Sequence, residues 1–153
     1  MVRSAPCATL DLPAVTVLLH ERCLRECAAD ESAMSGRLHH LLRVSVRAAV
    51  SIHVVPATGH AAPDCQGGFS MLEFADYDAL VYREEPTAGM FLGRPSEVAA
   101  YRSILADLKS IALDEESSRN LIRAAAADHA DRTPGLRPDE ADVVDATAMV
   151  ARS

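Results

Sequence analysis

The stretch of sequence that decides the fold is FSMLEFADYDALVYREEPTAGMFL, residues 69–92. It contains three short apolar segments, at 69–74, 80–82 and 90–92, and polar turn residues at 76–78 separate the first two. Short apolar segments bounded by turn residues are typical of strands. The connections are too short for crossover helices, so neighbouring strands must run in opposite directions. The stretch therefore predicts an antiparallel meander.

Two further strands are predicted before the meander. Residues 15–19 form a β-branched and apolar run, and residues 50–55 alternate between apolar and polar side chains, as a strand with one buried face does. Pro56 ends the second run, because proline cannot donate to a ladder hydrogen bond. A loop rich in Ala, Gly and Pro follows at 57–68. We therefore expect a single sheet of about four to five strands, largely antiparallel.

Helices are predicted on both sides of the strands in the sequence. A short helix follows the first strand, and Asp30 can cap a second helix because its carboxylate accepts free N–H groups of the first turn. The second helix carries one apolar stripe at helical spacing, formed by Met34, Leu38, Leu41 and Leu42. Pro95 opens a third helix and Asp114 caps a fourth. This order predicts an α+β (mixed α/β) fold, with the sheet packed by N-terminal and C-terminal helices.

The 153 residues are predicted to form one domain with a tail at each end. Residues 1–14 lack a pattern and are predicted to be disordered or the remnant of a linker. Residues 15–128 would form the α+β domain. Proline and glycine interrupt residues 129–153, which are predicted to be a flexible tail or a weak terminal helix.

Charge and hydropathy exclude two kinds of partner. The formal net charge is −7, whereas binding to DNA is driven largely by cationic side chains on the phosphates. The sequence therefore predicts no direct nucleic acid binding. No apolar run reaches the ~18 residues of a membrane-spanning helix, and no secretion signal is evident. We therefore expect a cytoplasmic protein with no membrane partner.

Six pieces of the sequence, in this order, resemble a known family. They are VLLHERCLREC (17–27), MSGRLHHLL (34–42), VSIHVVPATGHAA (50–62), GGFSMLEF (67–74), ALVYREE (79–85) and EVAAYRSILADLKSIALDEESSRNLI (97–122). They are similar to the C-terminal, non-DNA-binding domain of XRE-type, Scr-type antitoxin-like transcriptional regulators of actinobacteria. The resemblance implies the fold of that domain and a role in binding an effector or a partner.

The chain departs from the family's pattern at three points. Residues 1–14 cannot hold the family's helix-turn-helix, so the domain is predicted to stand alone. The position before Glu21, usually acidic in the family, is His20 here. The usual glycine-rich loop reads GHAAPDCQGG, residues 59–68. The resemblance therefore implies the fold more strongly than the regulator's role.

Candidate ligand-binding or acid–base residues lie in or beside the matched strands. They are His20, Glu21, His53, His60, Glu73, Tyr82 and Glu84. Carboxylates and imidazoles that face a cleft are natural acid–base partners. Alternatively, Glu21 and Glu84 pair with arginines such as Arg25 or Arg83 and fix the packing. The histidines lack the spacing of metal ligands, so neither a metal nor another cofactor is predicted.

Two functions remain open from the sequence. The first is a regulatory or interaction domain whose partner is a small protein or a full-length regulator relative, with a small-molecule effector and a homodimer as further possibilities. The second is the same fold recruited as a small-molecule-binding enzyme of an actinomycete biosynthetic pathway, using the histidines and glutamates in the former effector pocket. An enzyme needs a concave pocket on which these residues converge, whereas an interaction domain exposes an apolar patch.

Overall fold

A computed structural model of the chain describes residues 13–26, 30–57, 68–85, 87–132 and, as backbone, 149–152. The described elements, in chain order, are β1 (Val15–His20), α1 (Arg22–Arg25), α2 (Glu31–Val44), β2 (Val50–Val55), β3 (Phe69–Leu72), β4 (Leu80–Glu85), β5 (Ala88–Leu92), α3 (Pro95–Ile111), α4 (Glu115–Asp131) and β6 (Met149–Arg152). The predicted mixed α+β fold class is confirmed.

The strands form one sheet in the order β2-β1-β6-β3-β4-β5. Strands β3, β4 and β5 form the predicted antiparallel meander, whereas β1 and β2 are parallel. Strand β6 lies between β1 and β3, antiparallel to the first and parallel to the second. The sheet is therefore largely antiparallel, as predicted, but contains one more strand than the sequence suggested.

The core lies on both faces of this sheet, because successive side chains of a strand point to opposite faces. On one face, α2 and α4 pack against β1 and β2 at residues such as Val17 and Ile52. On the other face, α3 packs against Leu18 of β1 and against Met71 and Val81 of the meander. Among the described residues, no helix is long and apolar enough to span a bilayer.

Side-chain caps explain where α2 and α4 begin. The carboxylate of Asp30 accepts a hydrogen bond from the Ser32 amide at 3.1 Å, and that of Asp114 accepts one from the Ser117 amide at 2.7 Å. Both predicted caps are thus confirmed.

Helix α4 continues past the predicted boundary at residue 128 and ends at Asp131. Strand β6 lies within the stretch for which a tail or weak helix was predicted, and residues 1–12 and 133–148 lie outside the described residues.

The link between α3 and α4 bonds to the outer edge of β2 at Val54. The Leu113 amide donates to the Val54 carbonyl at 2.8 Å, and the Val54 amide donates to the Ser118 hydroxyl at 2.9 Å. Ser118 is fully buried, and its hydroxyl donates in turn to the Leu113 carbonyl at 3.3 Å. The outward main-chain groups of Val54 are therefore already paired within the chain.

Candidate functional site

The carboxylate of Glu21 joins the ends of the two parallel strands. One of its oxygens accepts hydrogen bonds from Nη2 and Nε of Arg25 at 2.7 and 3.0 Å, and the other accepts one from the Ala57 amide at 3.0 Å. The Ala57 N–H, followed by the Arg25 guanidinium, lowers the pKa of Glu21. An anion held in this way stays ionised at neutral pH, and the pairing with Arg25 that the sequence left open is present.

Two candidate histidines carry different tautomers at different places. Nδ1 of His20 accepts a hydrogen bond from the Arg22 amide at 3.1 Å, so the proton of the neutral ring is on Nε2. Nδ1 of His53 lies 2.9 Å from the Leu113 carbonyl, which only accepts, so Nδ1 of His53 carries the proton. His20 therefore stabilises the turn after β1, whereas His53 forms a hydrogen bond between β2 and the link between α3 and α4.

The remaining candidates lie on the meander, on opposite faces of the sheet. Glu73 accepts hydrogen bonds from Arg102 of α3 at 2.8 and 3.1 Å, so it lies on the α3 side. Tyr82 and Glu84 alternate with the buried Val81 of β4, so they lie on the other side. His60 lies outside the described residues. The described candidates thus form separate groups and do not converge on one cleft.

A small cavity lies between α1 and α4. It measures about 110 Å³ and is lined by Glu21, Arg25, Asp128, His129 and Arg132 together with apolar residues of both helices. Ligand pockets are usually ~300–1,000 Å³, so this cavity is far smaller than one for a typical substrate. Glu21 is the one sequence-predicted candidate in its lining. Within the described part of the chain, no three His, Cys, Asp or Glu side chains are placed to hold a metal ion.

His129 is a buried polar residue that sequence reasoning missed. Its side chain is 2 % exposed, and its Nε2 lies 2.8 Å from the Leu24 carbonyl, while its Nδ1 contacts the carboxylate of Glu31. A carbonyl and a carboxylate both accept, so the arrangement favours a protonated ring that donates from both nitrogens and pairs with Glu31. The hydrogen bond that His129 donates to the Glu31 carboxylate is the main cause that raises the pKa of His129. His129 therefore links α4 to α1 and α2.

The face of the meander that points away from α3 exposes apolar side chains. We call it the outer face, and it consists of Ser70, Leu72, Leu80, Tyr82, Glu84, Gly89 and Phe91. Tyr82 and Phe91 are cross-strand partners whose ring centroids lie 4.9 Å apart. Phe91 is 65 % exposed, and none of the core clusters among the described residues includes either ring.

Gly89 shapes the outer face. It is the cross-strand partner of Glu84, next to the Tyr82–Phe91 pair. A Cβ at position 89 would lie 2.8 Å from ring atoms of Tyr82, closer than such atoms approach. Glycine therefore allows the Tyr82 ring to lie over β5 and form one aromatic surface with Phe91.

Comparison with known proteins gives one match. A family model described as "Domain of unknown function (DUF5753)" matches residues 2–124, which is most of the chain. No curated protein and no solved structure matches the chain.

Proposed function

The chain belongs to the DUF5753 family, and we propose that it is a regulatory or interaction domain that binds a protein partner through the outer face. Domains of this family are often found in XRE-type regulators. The chain would correspond to the effector- or partner-binding half of such an antitoxin-like regulator. The sequence resemblance over residues 15–128 supports the same proposal.

The observation that carries the proposal is the aromatic pair of the outer face, in which Phe91 is exposed and Tyr82 is half-buried. A phenylalanine that keeps most of its surface in water forgoes much of the ~1.5–3 kcal/mol that burial of such a side chain contributes. Tyr82 lies beside it, with half-buried Leu72 and Leu80 on the same face. Aromatic residues surrounded by apolar neighbours are typical of the centres of protein interfaces.

Charge favours a heteromeric partner over a second copy. Glu84 is exposed on the outer face, and the chain has a formal net charge of −7. Two copies would bring like charges together, which is costly at an interface. A small protein with an apolar surface rimmed by Lys or Arg would complement the outer face instead.

The alternative, an enzyme that uses the candidate histidines and glutamates, is less well supported. Glu73 pairs with Arg102, Glu21 with Arg25, and His53 with a backbone carbonyl, each in a different part of the fold. Acid–base catalysis requires such groups within hydrogen-bond reach of one substrate. The cavity between α1 and α4 is also too small for a typical substrate.

Native mass spectrometry of the chain, gently purified from its own host, tests this proposal. We expect a complex that contains this chain and a second, different polypeptide. That complex should weaken as the salt concentration rises, because charge complementarity contributes to it. A bare monomer, a homodimer, or a chain that carries a small molecule and no polypeptide would contradict the proposal.

A further inference from the structure

A notch in the outer face lies over Gly89, between side chains of β4 and β5. Gly89 is the cross-strand partner of Glu84, and Phe91 of the same strand is the partner of Tyr82. These four residues share one face, because successive side chains of a strand alternate between faces. Glycine has no side chain that would fill the space between Glu84 and Phe91. The notch therefore has a carboxylate on one side and an aromatic ring on the other.

The Tyr82 ring forms the floor of the notch. A Cβ at position 89 would lie 2.8 Å from both Cε2 and Oη of Tyr82, so the end of the ring that carries the hydroxyl lies over Gly89. Glu84 is directly opposite Gly89 in the ladder, so the hydroxyl and the carboxylate lie on the same part of the face. Both groups accept hydrogen bonds. The notch therefore presents two kinds of oxygen acceptor beside the Phe91 ring.

Neither acceptor has a partner in the part of the chain that the structure describes. Glu84 is exposed and forms no ion pair there. Other glutamates do pair with an arginine, namely Glu21, Glu73 and Glu97. The Tyr82 hydroxyl belongs to a half-buried residue and likewise forms no hydrogen bond within the described part. A cation that carries several N–H donors would satisfy both acceptors at once.

The dimensions of the notch suit a guanidinium group. Diagonal neighbours on adjacent strands, such as Glu84 and Phe91, lie about 7–8 Å apart. A guanidinium stacks within ~6 Å of a ring centroid and forms N–H···O bonds of ~2.8 Å to a carboxylate, so one group spans this separation. It also has N–H groups left for the Tyr82 hydroxyl. A lysine ammonium is more strongly hydrated and has no plane that stacks on a ring, so it fits less well.

We propose that the notch is an arginine-binding site, into which the partner protein inserts one arginine side chain between Glu84 and Phe91. This inference rests on the proposed function, because it names the partner residue that the outer face recognises. Arginine and aromatic residues are enriched at the hot spots of interfaces, and hot spots pair with each other across them. The formal net charge of −7 attracts a cationic partner in the same sense.

Selection from a phage-displayed library of random linear peptides on the full chain tests the site. Peptides bound to the outer face are those whose binding is lost with Phe91→Arg and kept with Tyr77→Arg. We expect these peptides to share one arginine with apolar neighbours. Replacing that arginine with lysine, or with citrulline, which keeps the shape and removes the charge, should raise Kd at least about fivefold, because a charge-assisted and stacked contact is lost.

Two matched substitutions show whether Glu84 is the carboxylate that pairs with this arginine. Glu84→Gln removes the charge and keeps the side-chain length, so it should weaken the arginine peptide at least about fivefold. The citrulline peptide should bind Glu84→Gln and wild type almost equally, because it lacks the charge that Glu84 pairs with. Glu116→Gln, at an exposed glutamate of α4, is the control and should leave Kd within about twofold.

The outcomes separate this inference from the proposed function. Selected peptides without a shared arginine, or peptides that accept lysine equally well, would overturn the arginine site and leave partner binding at the outer face intact. Equal losses with Glu84→Gln and Glu116→Gln would also overturn it, because net charge alone would then explain the binding. Failure to select any peptide that depends on Phe91 would overturn the arginine site and would count against the proposed function as well.

Discussion

Replacing Phe91 with arginine is expected to weaken binding of the protein partner by about 30-fold or more. Aromatic residues at the centre of an interface typically contribute ~2 kcal/mol or more when truncated, which corresponds to that factor in Kd. Arginine adds a charge that a cationic partner repels. Because Phe91 is 65 % exposed and belongs to none of the core clusters among the described residues, the free energy of unfolding should change by less than ~0.5 kcal/mol.

The matched control for this variant is Tyr77→Arg. Tyr77 is 80 % exposed and lies in the turn between β3 and β4, outside the set of residues that defines the outer face. The Tyr77→Arg substitution introduces the same charge at another exposed aromatic residue, so it should leave Kd for the partner within about threefold of the wild-type value. Isothermal titration calorimetry with the partner measures both variants. Equal losses for Phe91→Arg and Tyr77→Arg would mean that charge alone, and not the outer face, governs binding.

Replacing His129 with alanine is expected to lower the free energy of unfolding by ~2–4 kcal/mol. The change removes a buried ring and deprives the Leu24 carbonyl of its donor. It also removes one of the cationic partners of Glu31, which keeps the Arg132 guanidinium at 3.9 Å. Urea denaturation measures the loss. The control is His40→Ala, because His40 is exposed on α2 and should cost less than ~0.5 kcal/mol. Similar effects of the two variants would contradict this account of His129.

The ion pair between His129 and Glu31 also predicts how the free energy of unfolding depends on pH. The pKa of His129 is raised in the folded chain above its unfolded value, which is about 6.5. The stabilisation is therefore fully present below pH ~6.5 and is lost as the pH rises through the folded pKa. Wild-type protein should lose stability as the pH rises above ~6.5, whereas His129→Gln should show a flatter profile. A profile that is unchanged in the variant would show that another group titrates.

Local patterns in the sequence were sufficient for much of the fold. The three short apolar segments within residues 69–92 predicted the meander, because the connections between them were too short for crossover helices. Asp30 and Asp114 could be identified as caps because each acts on an amide two or three residues further along. Strand β6 could not be predicted in this way, because it exists only through pairing with β1 and β3, which are distant in the sequence.

The site was harder to predict for the same reason. Alternation shows that Val81 and Tyr82 face opposite sides of β4, but not which side is left without a helix. His129 was placed in a tail, although it lies in the last turn of α4, and its partners Leu24 and Glu31 are about a hundred residues away in the chain. A basic residue near a helix C-terminus was the one local signal that pointed to it.

Photo-crosslinking at position 91 in the native host tests the central claim most directly. A chain carrying p-benzoylphenylalanine in place of Phe91 is irradiated in cells, and its adducts are identified by mass spectrometry, with the same substitution at Tyr77 as the control. The account predicts a covalent adduct between position 91 and a different polypeptide, and little or no adduct at position 77. No adduct at position 91, or one formed only with this chain itself, would contradict the claim that the outer face binds a protein partner.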